Sequence, residues 1–202
     1  YRGLVGSEMC IRDSNKLNEK DFDNIKFDNK YSKQSRSYKY VSELFNKDFE
    51  SDELNYARDI LKKWDLATDF KNTSAALGVC VLSSEWISEQ GQRIPQDPEI
   101  SFRECVKELM QTYGRVDPSW SERNFIIRGS KKKSVQGGPD VLRAIYGRND
   151  EAGDLKAAGG DGLYIHVSWD KDGQQKSKSI HQYGSATQDE SSIHFADQMD
   201  LY

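Results

Sequence analysis

No run of apolar residues in this chain approaches the roughly 18 that a membrane-spanning helix needs, so no segment of it reads as a helical span. An excess of positive charge is missing too. The 202 residues carry a formal net charge of −4, which argues against the concentrated basic stripe of a nucleic-acid footprint. The one dense basic run, Lys131-Lys132-Lys133, reads as a solvated loop. Cysteine is scarce: Cys10, Cys80 and Cys105 fit neither a metal motif nor a dense disulfide framework. No internal repeat and no low-complexity tract stands out. No signal peptide is visible, which in a chain read as a piece says nothing of its compartment.

What is present is polar yet foldable. Charged residues make up 31% of the chain, but 11% are aromatic, too many for a chain disordered throughout. The length suits one core and is no basis for counting two. Residues 1–14, through Gly3-Leu4-Val5-Gly6-Ser7-Glu8-Met9-Cys10-Ile11-Arg12-Asp13-Ser14, resemble a translated sequencing adapter and are set aside as non-native, Cys10 with them. Position 1 is not Met, and the chain stops at Leu201-Tyr202, so both ends read as cut. Residues 15–202 then form one incomplete domain.

Helices dominate the first half. Asn18 caps a short helix over residues 18–26 with acidic residues in its first turn. Residues 27–37 are polar and turn-rich. Tyr38, Val41, Leu44 and Phe45 follow at helical spacing. Ser51 caps a clearer helix, with Asp52 and Glu53 at its start, Lys62 and Lys63 at its end, and a buried stripe of Leu54, Ala57, Leu61 and Trp64. A second runs over residues 74–89, its stripe Ala75, Ala76, Val79, Leu82 and Trp86, with Cys80 beside it as a buried free thiol. A loop over residues 91–98 leads to a third, where Phe102, Cys105, Val106, Leu109, Met110 and Tyr113 repeat at three-four spacing before Gly114. That stripe is core, not a cofactor box.

Beyond Gly114 the chain turns to Gly, Ser and β-like runs. Phe125-Ile126-Ile127 reads as a strand, Gly137-Gly138-Pro139 as a turn, and residues 141–146 as a short apolar run. Residues 163–169 and 176–183 alternate around Asp172-Gly173, a hairpin signal. A two-residue turn would set Ile165 opposite Ile180, Tyr164 opposite His181 and His166 opposite Ser179, with His166 and His181 on one face. Residues 191–202 read as a closing helix capped by Ser192. Helices first and a Gly-rich β region after give an α+β layout, with strands that join a larger sheet.

Several chemistries can be weighed on the residues alone. His166, His181 and His194 supply metal-ligand types but lack Cys or carboxylate at ligand spacing, so structural hydrogen bonding is the reading and no metal is assigned. Ser185 with His181 or His194 and Asp189 or Asp197 has the residue types of a hydrolytic triad. The local sequence Tyr183-Gly184-Ser185-Ala186-Thr187 is not a nucleophile elbow. Gly159-Gly160-Asp161-Gly162 lacks the Lys-Ser/Thr ending of a phosphate loop. No particular carboxylate pair points to glycoside chemistry.

Several blocks, in order, carry a resemblance. They are Phe27-Asp28-Asn29-Lys30-Tyr31-Ser32, then residues 57–65, then Gly114-Arg115-Val116-Asp117-Pro118-Ser119-Trp120 and Arg128-Gly129. Gly137-Gly138-Pro139-Asp140-Val141-Leu142-Arg143-Ala144, Gly160-Asp161-Gly162 and His181-Gln182-Tyr183-Gly184-Ser185-Ala186 follow. The last and most specific is Ser191-Ser192-Ile193-His194-Phe195-Ala196-Asp197-Gln198. Together they resemble the C-terminal half of the β-chain of the penicillin-acylase family, most of all its acyl-homoserine-lactone acylases, across residues 15–202.

The resemblance implies an N-terminal-nucleophile hydrolase that cuts the amide of N-acyl substrates such as acyl-homoserine lactones or β-lactam side chains. A serine freed by self-cleavage is the nucleophile there, and its α-amine the base. Backbone N–H groups and an Asn side chain stabilise the oxyanion. These groups, and the family's calcium ligands, belong upstream of the matching blocks. The resemblance therefore places no catalytic, cofactor or metal residue in this chain, and implies that it is inactive alone. It further implies an αββα sandwich flanked by the helices of residues 51–114, and partners in the α-chain and the first part of the β-chain. His194, Asp197 and Gln198 would tie the last helix to neighbouring backbone. An isolated piece would expose an apolar patch and an open sheet edge. A periplasmic or secreted home would permit a disulfide between Cys80 and Cys105, with free thiols the other reading. From a different class comes a self-standing, non-catalytic binding module that uses Trp120, Trp169 and Tyr183 as its recognition surface.

Overall fold

A computed structural model describes residues 18–186 and 188–202, apart from the side chains of Glu89 and Gln90. The adapter-like segment lies outside the described residues. The described elements run α1 (Glu19–Lys26), α2 (Arg36–Ser42), α3 (Asp52–Lys63), α4 (Ala75–Gln90), α5 (Pro98–Tyr113), α6 (Trp120–Arg123), β1 (Asn124–Arg128), β2 (Lys131–Ser134), β3 (Ile145–Asn149), β4 (Leu155–Gly160), β5 (Leu163–Trp169) and β6 (Gln175–His181). The protein is α+β, as the order of patterns implied.

Local chemistry sets the helix ends. The Asn18 side chain accepts from the Asp21 amide at 3.0 Å, and the Asp21 carboxylate accepts from the Asn18 amide at 3.2 Å. This reciprocal pair satisfies two orphan donors of α1. Ser35 and Ser51 cap α2 and α3 through their hydroxyls. Asp97 caps α5, Pro98 occupies its first turn, and Gly114 ends it with φ +69°, a left-handed conformation that glycine adopts at little cost. The main core lies among α3, α4 and α5, where Leu61, Leu77, Val81, Phe102 and Leu109 are fully buried. Helix α4 meets Trp64 so closely that a Cβ on Gly78 would lie 2.4 Å from the indole ring.

Cys80 of α4 and Cys105 of α5 form a disulfide, with Cα atoms 5.9 Å apart. The free-thiol reading is thereby replaced. Loop-closure arguments put such a cross-link, over a separation of 25 residues, at about 3–4 kcal/mol.

The larger sheet has the order β2-β1-β4-β3, with β1 and β4 parallel and the other pairs antiparallel. Leu155 of β4 packs into the helical core. Ile126, Ile145 and Ala157 form a second cluster with Ala196 and Met199 of the C-terminal segment. By strand alternation the half-buried Leu155 and the buried Ala157 share one face of β4, whereas Lys156 and Ala158 on the other face are exposed. The Lys131-Lys132-Lys133 run is not a loop but the exposed strand β2. Lysine suits an edge position because it discourages further pairing, and here Lys132 and Lys133 also pair with Asp154 and Asp200.

Two expectations fail for identifiable reasons. The β5–β6 hairpin is offset by one residue: Ile165 faces Ser179, Tyr164 faces Ile180, and His166 faces Lys178. Its loop is Lys171-Asp172-Gly173, closed by the Asp170 amide donating to the Gln174 carbonyl at 3.0 Å. The Asp170 carboxylate accepts from the Asp172 and Gln174 amides, both at 2.9 Å, and Gly173 takes φ +78°. This is the three-residue hairpin with glycine in the left-handed position. Residues 191–202 form a string of turns rather than a helix. Their amides go elsewhere: that of His194 to the Ser192 hydroxyl, that of Ser191 to the Asp189 carboxylate, that of Gln198 to the Tyr183 carbonyl. Side-chain acceptors that capture backbone donors compete with the helical ladder.

Candidate functional site

The blocks that carry the resemblance are scattered in sequence but meet in space. The Tyr31 amide donates to the Leu66 carbonyl, the Thr68 amide to Asn29, and the Gly137 amide to Thr68, each at 3.0 Å. The Arg143 amide donates to Asp28 at 2.8 Å. Tyr31, itself buried, donates its hydroxyl to the Pro139 carbonyl at 2.6 Å. Gly137, with φ +99°, lets the Arg143 carbonyl lie where a Cβ would be, 2.3 Å away.

A buried polar centre sits beside this knot. The Arg143 side chain is 2% exposed. Its guanidinium donates to the Tyr164 hydroxyl at 3.1 Å and the Tyr202 carbonyl at 2.7 Å, and stands 3.7 Å from Asp161. Tyr164 donates to Asp161 at 2.6 Å. Burial, then the Asp161 hydrogen bond, hold the Tyr164 hydroxyl well above its usual range. Lys26 reaches the same carboxylate at 3.3 Å. Every polar group here has a partner, which suits a structural node that locks α1, the glycine-rich turns and the C-terminus together.

A cleft of about 720 Å³ opens between α4 and the sheet. Val79, Trp86, Tyr146 and Leu155 line it, and the ion pair of buried Arg123 with Glu108, 2.5 Å, stands in its wall. Its serine, Ser83, donates to the Cys80 carbonyl at 2.7 Å, and no histidine lines it. A hydroxyl bound to its own helix, with no base beside it, is not an activated nucleophile.

The triad residues are only partly assembled. His194 Nδ1 lies 2.9 Å from Asp197, whose carboxyl is held below its usual range chiefly by that bond. No hydrogen bond joins the Ser185 hydroxyl to His194 or His181, and the Ser191 side chain and amide hold Asp189. Of the three residues expected to tie a final helix to backbone, Gln198 accepts from the His181 amide at 2.6 Å and joins the C-terminal turns to β6, while the His194 and Asp197 side chains pair with each other. The three histidines do not converge. With the offset register, His166 and His181 project from opposite faces of the ribbon.

The recognition surface of the binding-module reading is not formed. Trp120 is 1% exposed, with its indole N–H donating to the Gly137 carbonyl, and Tyr183 is half-buried under Arg128. Only Trp169 stands out in solvent. It belongs instead to an apolar row on the outer face of the ribbon, Leu163, Ile165, Val167 and Trp169. The ribbon is two-stranded, so β5 and β6 each keep an unpaired edge among the described residues. The sequence reading missed one grouping: Glu19 and Asp23 of α1 with His166 of β5, whose ligand-type atoms all lie within 4.8 Å of one another.

No protein-family model matches the chain, and no curated protein matches it.

Proposed function

We propose that this chain is wall material for an acylase: the C-terminal part of the β-chain of an N-terminal-nucleophile hydrolase that cuts N-acyl amides, with its serine and oxyanion donors encoded upstream. The observation that carries this reading is the interlocking of the resembling blocks. Residues 27–32, 137–144 and 160–162 meet through Asp28, Arg143 and Asp161, and residues 181–186 and 191–198 meet through Ala186, Gln198 and Tyr183. Their glycines, charges and aromatics serve contacts within the fold rather than a reaction centre.

Two further features support it. In the cleft between α4 and the sheet, Ser83 bonds its own helix and has no histidine beside it. The apolar row of β5 and the open ribbon edges suit strands that continue into a larger sheet, as in the αββα sandwich of the family. The amine partner and acyl chain of the substrate follow from the upstream pocket. The disulfide suits a periplasmic or secreted enzyme.

The test is activity with and without the upstream chain. The 202-residue chain alone is expected to leave acyl-homoserine lactones and phenylacetyl amides intact. Co-expression with the preceding part of the same reading frame, which is expected to encode a self-cleaving Gly-Ser or similar junction, is expected to restore hydrolysis. Turnover by the chain alone, or a start codon just before Asn15, would refute the reading.

A further inference from the structure

Helix α1 and the ribbon meet where three ligand-type atoms face one another. Glu19 and Asp23 stand four residues apart on α1, so both carboxylates leave the same face. From β5, His166 Nδ1 comes to 3.5 Å from Asp23 and 3.8 Å from Glu19. That nitrogen is buried and makes no hydrogen bond. The Phe22 ring lies against the imidazole, centroid to centroid 5.2 Å, and holds its orientation.

Lys178 answers only part of this. Its ammonium lies 3.2 Å from each carboxylate. That one ammonium serves both carboxylates and makes no hydrogen bond to the imidazole nitrogen. The buried Nδ1 faces the two carboxylates without a hydrogen bond. The His166 side chain is only 17% exposed, so leaving its nitrogen without a partner is costly. A doubly charged ion that accepts all three lone pairs resolves it.

We propose that Glu19, Asp23 and His166 form a divalent transition-metal site, best suited to zinc, that fastens α1 to the β5–β6 ribbon. Imidazole and carboxylate are zinc ligands at about 2.0–2.2 Å, whereas calcium asks for six or more oxygens. Three protein ligands leave one position for water. Glu19, with its side chain 62% exposed on the first turn of α1, is free to swing in and close the ligand set. Lys178 is the competing cation and leaves the carboxylates when the metal enters. The site needs only the contact between α1 and the ribbon and does not rest on the acylase reading.

The test is calorimetric titration of the metal-free, tag-free full chain with zinc chloride, followed by thermal unfolding at each zinc level. One zinc per chain is expected, with an unfolding temperature that climbs as zinc rises above the dissociation constant. His166→Ala and Asp23→Asn are each expected to weaken binding by at least about tenfold, since loss of even an outer-sphere partner costs about that much. Asp23→Asn changes charge without changing size, so it tests the site even if His166→Ala fails to fold. Lys178→Met removes the competitor and is expected to tighten binding. His194→Gln breaks the other histidine–carboxylate pair and is expected to leave it unchanged. Absence of stoichiometric binding would overturn the proposal. So would binding that survives both ligand substitutions, that is lost only with His194→Gln, or that is equally tight for calcium.

Discussion

Replacing Arg143 with Met tests whether the buried polar centre holds the fold together. The methionine keeps most of the side-chain volume and removes the charge. The change strips a donor from the Tyr164 hydroxyl and the Tyr202 carbonyl, and leaves Asp161 with Lys26 as its only cation. Breaking a fully buried pair costs about 3–5 kcal/mol. Asp161 is 19% exposed and keeps Lys26, which brings the expected loss to about 2–4 kcal/mol. For a chain of this length each kcal/mol corresponds to about 2–4 °C, so the unfolding temperature is expected to fall by about 4–16 °C. Urea unfolding of Arg143→Met, Asp161→Asn and the double variant measures the coupling. Because the two side chains share Tyr164 as well as each other, the double variant is expected to lose less than the two single losses added together. A loss below about 1 kcal/mol for Arg143→Met, or strict additivity in the cycle, would refute the view of this centre as a structural node.

Reduction of the Cys80–Cys105 cross-link, or its replacement by paired alanines, is expected to lower stability by about 3–4 kcal/mol in denaturant titrations, with no effect of reductant on the alanine variant. Gly78→Ala drives a methyl into the Trp64 ring and is expected to cost about 1–3 kcal/mol, read from the same titrations and from the Trp fluorescence. Glu50 is held at about 2, from an ordinary value of 4.5, chiefly by its hydrogen bond from Arg103. A carboxyl lowered in the folded state stabilises above its ordinary value, and the contribution fades as pH falls from there to about 2. The stabilities of the parent and Glu50→Gln are therefore expected to differ above pH 4.5 and to converge on acidification.

The helices at residues 52–63 and 98–113 were legible because a stripe and an end signal agreed in each. Ser51 with Asp52 and Glu53 marks the start of one pattern and Gly114 the end of the other, Leu61 and Leu109 fix their phase, while Pro98, read as loop, begins α5. Strand β4 was not, since Leu155-Lys156-Ala157-Ala158-Gly159-Gly160 has no β-branched residue. Pairing with β1 and β3 on either side makes it a strand. The hairpin was visible, but its register depended on which amides the Asp170 carboxylate accepts from, those of Asp172 and Gln174. Helix α6 was missed because its capping pair, Ser119 and Glu122, encloses a single turn. The candidate metal cluster shows the limit most directly. The spacing of Glu19 and Asp23 is readable on a helix, but only the fold brings His166 to them across 143 residues (166 − 23). The offset hairpin then sets Lys178, rather than Ser179, opposite that histidine.

The bond between α4 and α5 also spans the exposed segment of residues 91–97. Trypsin cutting after Arg93 would open the chain without freeing either part. The nicked protein would migrate as one band until a thiol is added, and would then split near the middle of its length.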